Sequence, residues 1–184
     1  MLHTPRVAVG LALAVGLALA VVLDTALGAA NVHLKPPNSE PTFIDGGLTL
    51  NATGALAGLG NGDVLVSLVA QANVTAICSN QGGHAAPGQN PPDVTVSGGQ
   101  AIPENELKNG NTPFNVTTIA PVAIIPGAPG CSNPNWTEEI TDLSFTSAVI
   151  TVEQPVGTTV LTVSCTIDPP SVNGLVPRDA VSCQ

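Results

Sequence analysis

Carboxylates cluster in two places along this chain, Glu104 with Glu106 and Glu138 and Glu139 with Asp142. Glycoside hydrolysis uses such pairs, one as the acid and the other as base or nucleophile, when the two face each other across a scissile bond. Neither cluster reads that way. Both fit solvated turns and strand faces, and a chain with no Tyr and a single Trp has no aromatic platform for sugar rings. Calcium needs six to eight oxygens, several of them usually from carboxylates. Glu138, Glu139 and Asp142 are the best-placed set, but no Asp-x-Asp run accompanies them, so no metal and no cofactor is expected. Ser-His-Asp catalysis needs a histidine held by an acid and facing a serine. The candidates are His33, in a Pro-interrupted segment, and His84, in a Gly-rich one, and no Gly-x-Ser-x-Gly elbow exists. A non-enzyme is expected.

The four cysteines, Cys78, Cys131, Cys165 and Cys183, are an even set without Cys-x-x-Cys spacing, which reads as two disulfides in an oxidising compartment rather than as zinc ligation. Cys78 and Cys131 both open a Cys-Ser-Asn tripeptide at the start of a Gly/Pro loop, and Cys165 and Cys183 bracket the C-terminal stretch. Pairing of 78 with 131 and 165 with 183 is therefore favoured over 78 with 165 and 131 with 183.

Export is read from the N-terminus. A segment with one positive charge, Arg6, precedes an apolar run over residues 7–23, and the small residues Ala26, Gly28 and Ala30 offer cleavage sites. Residues 1–29 are expected to be a signal peptide helix, with an uncleaved anchor as the alternative. No other stretch is apolar enough to span a bilayer, so no stable membrane insertion is expected after cleavage, and the protein should be secreted or held at the cell envelope. Cleavage would remove Arg6 and Asp24, one charge of each sign, leaving the net charge of −9 on the mature chain. Such a surface repels phosphate backbones, and nucleic acid is excluded as a partner.

The element that organises the fold is residues 63–78. Val64, Val66, Leu68, Ala70, Ala72, Val74, Ala76 and Cys78 are apolar, and Ser67, Gln71, Asn73 and Thr75 lie between them. A period of two predicts a half-buried antiparallel strand, long enough to bulge near residues 70–73 and to serve two sheets. Shorter strands are expected at 43–44, 48–54, 93–97, 114–119 and 158–167, with the Asn61-Gly62 turn delivering the long strand. Residues 102–110 allow one helical turn, and Pro-rich 121–129 reads as edge or loop. In 136–152 the apolar phase shifts from Leu143 and Phe145 to Ala148, Ile150 and Val152, predicting a bulge near Ser147. Trp136 is expected to plug the core.

The domain plan is a leader at 30–42, a single antiparallel β-sandwich at 43–168 and a disulfide-pinned tail at 169–184. The leader would lie along a sheet edge of its own or a neighbouring copy. Residues 79–92 are expected to be the longest structureless loop and the first candidate recognition surface, with Asn80, Gln81, His84, Gln89 and Asn90 as its polar contacts.

Strands broken by Gly, Pro and Asn turns, with a disulfide-bearing strand near each end, resemble an immunoglobulin-like sandwich in pattern. The stretches 47–63, with Gly47-Leu-Thr-Leu-Asn-Ala-Thr-Gly54, and 134–145, with Pro134-Asn-Trp-Thr-Glu-Glu139, resemble uncharacterised exported bacterial proteins. That resemblance implies a bacterial origin, in which the Asn-x-Thr sequons at Asn51, Asn73, Asn115 and Asn135 stay unmodified, and it carries no functional motif. The expected function is a non-enzymatic, surface-acting protein in adhesion, matrix or coat assembly. Its partner would be itself or another cell-surface macromolecule; an extracellular small-molecule or polysaccharide binder using the 79–92 loop is the alternative.

Overall fold

The computed structural model describes residues 31–35, 40–89 and 91–184, so the expected signal peptide, part of the leader and Asn90 lie outside the described residues. The chain is an all-β sandwich of two antiparallel sheets. Its strands are β1 (His33–Leu34), β2 (Thr42–Asp45), β3 (Leu50–Ala57), β4 (Val64–Ser79), β5 (Ala85–Pro87), β6 (Val94–Ile102), β7 (Thr112–Thr117), β8 (Ile124–Ile125), β9 (Thr137–Glu153), β10 (Thr159–Ile167), β11 (Gly174–Leu175) and β12 (Val181–Cys183). The smaller sheet is built on β3, flanked by β7 on one side and by β1 and β2 on the other, with β11 beyond β2. The larger sheet runs β12, β10, β9, β4, then β6 and β5 along the far side of β4; β8 adds to β9.

β4 is the central strand, as its alternation predicts. Val64, Val66, Leu68, Ala70 and Ala72 are buried in one core with Phe43, Leu50, Leu56, Phe114 and Val116 of the smaller sheet, and Ala76 and Cys78 are buried further along the strand. It stays in one sheet, because its apolar phase never breaks. The irregularities lie in its partner. Opposite Gln71 and Ala72, β9 inserts Thr146; opposite Thr75 and Ala76 it inserts Thr141. Both threonines donate their hydroxyls to β4 carbonyls, Thr146 to Gln71 and Thr141 to Thr75, each at 3.3 Å, which occupies acceptors beside the two irregularities. The bulge expected near Ser147 is thus present one residue earlier. A second one was not legible.

Each extra residue reverses which face a strand buries. Ala148, Ile150 and Val152 point inward; past Thr146 the inward residues are Phe145 and Leu143; past Thr141 they are Ile140 and Glu138. A second phase reversal is therefore what turns a carboxylate into the interior.

The sandwich closes along one side where Gly98 of β6 meets β7. A Cβ there would overlap the Thr117 carbonyl, so glycine sets the approach of the two sheets. Ile119 N donates to Ser97 O at 2.8 Å along the same seam. The leader pairs with its own chain, His33 with Ala57 and Leu34 with Leu56. The C-terminal stretch does more than hang from a disulfide. β11 joins the smaller sheet, β12 the larger, and Val176 and Ser171 are buried. Ser171 accepts from Phe145 N and donates to Asp45, which also accepts from Gly47 N at 2.9 Å.

Cys78 is bonded to Cys131 and Cys165 to Cys183, the favoured pairing. Neither bridge joins the two sheets, unlike that of an antibody domain. The first closes a loop with a sequence separation of 53 and the second one of 18. On the chain-entropy view these stabilise by about 4 and about 3 kcal/mol. The pair of bridges fits an oxidising environment. Among the described residues no helix is long and apolar enough to cross a membrane.

Candidate functional site

The segment expected to be structureless is a hairpin. β4 runs to Ser79, the chain turns through 80–84, and β5 returns with Cys78 opposite Ala86. Asn80 builds that turn: its backbone N donates to His84 O at 3.1 Å, and its Oδ1 accepts from Gly82 N at 2.9 Å and His84 N at 3.0 Å. A side chain read as a ligand contact is thereby committed to its own backbone, an Asx-type use that Asn in a Gly-rich turn favours. Gln81, His84 and Gln89 are exposed. Gln89 contributes through its backbone, with N donating to Gly130 O at 2.9 Å.

That bond joins the hairpin to a second loop, 126–136, which the Cys78–Cys131 bridge fastens to the end of β4. The second loop turns sharply through Gly127 and Ala128, both at positive φ, then through Asn133 to Trp136, whose N donates to Asn133 O at 3.0 Å. Trp136 is half-buried at the rim of the sheet and not the core plug expected of it, because the residue lies in the turn before β9.

Under these two loops sits Glu138. It is fully buried, opposite Cys78 on β4 and Ile125 on β8. Its Oε2 accepts from Gly130 N at 2.9 Å, and its Oε1 has no hydrogen-bond partner among the described residues. Gly130 is required here. A Cβ would overlap Glu138 Oε1 and come within 2.9 Å of Gln89 O, so only glycine lets the second loop pack this closely on the carboxylate and the hairpin. The three acidic residues that the sequence groups do not converge. Glu139 faces out on the opposite side of β9, and Asp142 lies near Gly47 and Asp45. Burial pushes the Asp45 carboxyl above its ordinary value, the bonds from Ser171 and Gly47 oppose that, and the nearby Asp142 charge adds to it. Glu104 and Glu106 are both exposed in a single 3-10 turn after Pro103. His33 hydrogen-bonds the Asn31 carbonyl at 2.6 Å in the leader.

A second surface was not singled out by the sequence, although the polar residues of β4 signalled it. On the outer face of the larger sheet, cross-strand rows read Thr95, Gln71, Ser147, Thr166, Ser182; then Ser97, Val69, Val149, Ser164; then Gly99, Ser67, Thr151, Thr162. These rows contain no charged residue. Carboxylates stand only beyond them, Glu153 at one end and Asp142 and Glu139 at the other. Val69 is 41% exposed at the centre, and a cleft of about 410 Å³ opens among Ser147, Val149, Ser164 and Gln184.

Comparison with protein-family models, with curated proteins and with solved structures finds no match.

Proposed function

We propose that this is an exported, non-enzymatic structural protein of the cell exterior that assembles with further copies of itself through the outer face of its larger sheet. The observation that carries the reading is the charge-free expanse on that face, in a chain of net charge −9. Interface cores are depleted of charge. Ser, Thr and Val have few rotamers to lose, so holding them against a partner costs little entropy. Five strands about 4.8 Å apart, along roughly nine residues of β4 at about 3.4 Å each, give a face of roughly 25 by 30 Å. That matches the roughly 800 Å² per partner of a stable interface. An immunoglobulin-like ancestry belongs to the same proposal and rests on the two antiparallel sheets alone.

Light scattering on size-exclusion fractions of the mature, oxidised protein tests it. Mass should rise with concentration, and Val69→Lys and Thr151→Lys should return the protein to monomer. Thr53→Lys, a change on a strand of the smaller sheet, should leave assembly intact. A monomer at every concentration would sink self-assembly and turn attention to polysaccharide and small-molecule binding by the 79–92 hairpin.

A further inference from the structure

Three Asn-Gly pairs stand in the chain, Asn61-Gly62, Asn109-Gly110 and Asn173-Gly174, and all three asparagines are exposed. In such a pair the backbone nitrogen of the glycine can attack the asparagine amide, because no side chain shields it. Attack requires the peptide between the two residues to rotate toward Cγ. A peptide held by hydrogen bonds is therefore protected. We propose that Asn109 is a spontaneous deamidation site, selected over the other two by what the fold leaves unheld.

At Asn61 the amide of Gln154 pins the backbone on both sides, accepting from Gly60 N at 2.7 Å and donating to Gly60 O and Gly62 O, each at 2.9 Å. Gly174 lies in β11 opposite Asp45, two residues before Val176, whose N donates to Phe43 O at 3.0 Å. Residues two apart in a strand send their N–H groups the same way, so the Gly174 nitrogen faces the ladder. Asn109 and Gly110 instead form the tip of a turn between β6 and β7. Its ends are fixed: Asn111 N donates to Lys108 O at 3.0 Å, Lys108 N donates to Thr112 Oγ1 at 3.0 Å, and that hydroxyl donates to Lys108 O at 3.1 Å. The Asn109-Gly110 peptide is the central one of this turn, which the closing bond leaves free to rotate. Gly110 N has no hydrogen-bond partner among the described residues, its φ is +72°, and no atom beyond its chain neighbours lies within 4 Å of where a Cβ would stand.

The step needs only water. The Gly110 nitrogen bonds to Asn109 Cγ, the Cγ–Nδ2 bond breaks, and the proton of the Gly110 N–H leaves with the departing nitrogen as ammonia. Water then adds to either carbonyl of the resulting succinimide and opens the ring to aspartate or isoaspartate. Either product places a carboxylate beside Lys108, and isoaspartate also lengthens the backbone between Lys108 and Asn111 by a methylene. The site lies outside the rows of the sheet face, and the inference is independent of assembly.

Peptide mapping by mass spectrometry of the mature, oxidised protein aged in mildly alkaline buffer reads each asparagine, and an isoaspartate-specific methyltransferase reads the rearranged product. Asn109 should deamidate first, with Asn61 and Asn173 slower by about tenfold or more, since each must first break hydrogen bonds. In the chain reduced and unfolded in urea the three rates should draw together, because the fold no longer distinguishes them. Most of the methylation of the folded protein should vanish in Asn109→Gln. Loss at Asn109 no faster than at the other two overturns the proposal, and so does a spread as wide in the unfolded chain. Undiminished methylation of the folded Asn109→Gln protein overturns it as well.

Discussion

A buried polar side chain guards each end of β9, and the two are matched differently. At the C-terminal end Gln154, just past Glu153, fastens the turn that delivers β4. Its Oε1 accepts from Gly60 N at 2.7 Å, and its Nε2 donates to Gly60 O and Gly62 O, both at 2.9 Å. At the N-terminal end Glu138 fastens a loop to the same sheet but uses only one of its two oxygens. An amide has donors as well as acceptors and can meet loop carbonyls from within; a carboxylate has acceptors only. Glu138 Oε1 meets no donor among the described residues, so the carboxylate is left short. The Gln154 end needs no covalent aid. The Glu138 end is tied by a disulfide as well.

The contrast breaks most sharply at Gln154. Gln154→Leu keeps the volume but strips three hydrogen bonds, and it should destabilise the fold by about 2–4 kcal/mol in urea unfolding. A loss under about 1 kcal/mol would mean that the amide is no clamp. A smaller and opposite effect is expected at the other end. Glu138→Gln removes a buried charge that has one unmatched oxygen, makes the two ends chemically alike, and should stabilise the protein by about 1 kcal/mol in the same assay. Destabilisation would show that the buried charge is already met.

The smallest effect sharpens the comparison with a third buried polar group. Asp45 has both oxygens matched, by Gly47 N and Ser171 Oγ, yet burial still raises its pKa. A carboxyl whose folded pKa lies above its unfolded value contributes most below the unfolded value, and that contribution is lost as pH rises through the folded one. Stability measured from about pH 4 upward should therefore carry a falling component that Asp45→Asn removes. Identical pH profiles for the two proteins would assign that slope to other groups.

Much of this is legible along the chain, and each miss has its own physical cause. The alternation of 63–78 announced the central strand, and the phase shift between Phe145 and Ala148 announced a bulge, because both are local periodicities of apolar residues. The Thr141 insertion left almost no such trace. Only Ile140 marks the phase beyond it, so Glu138 and Glu139 read as equivalent surface carboxylates. Asn80 and His84 read as contacts in the sequence because loop composition does not tell whether a polar side chain faces a ligand or its own turn. Trp136 reads as core by size alone, yet it stands outside the strand.

The amino-acid sequence by itself determined the all-β class, the central strand, the favoured pairing of the cysteines and the excess of negative charge. These follow from side-chain types and short-range spacing. Tertiary structure alone decided that β9 reverses phase twice, that the tail serves both sheets and that a charge-free face spans β6, β4, β9, β10 and β12. It also decided that Glu138 is sealed beneath two loops. The physical reason is register. Which residues stand side by side, and which face a strand presents, depends on hydrogen bonds between segments far apart in the chain, and a single inserted residue exchanges inside for outside.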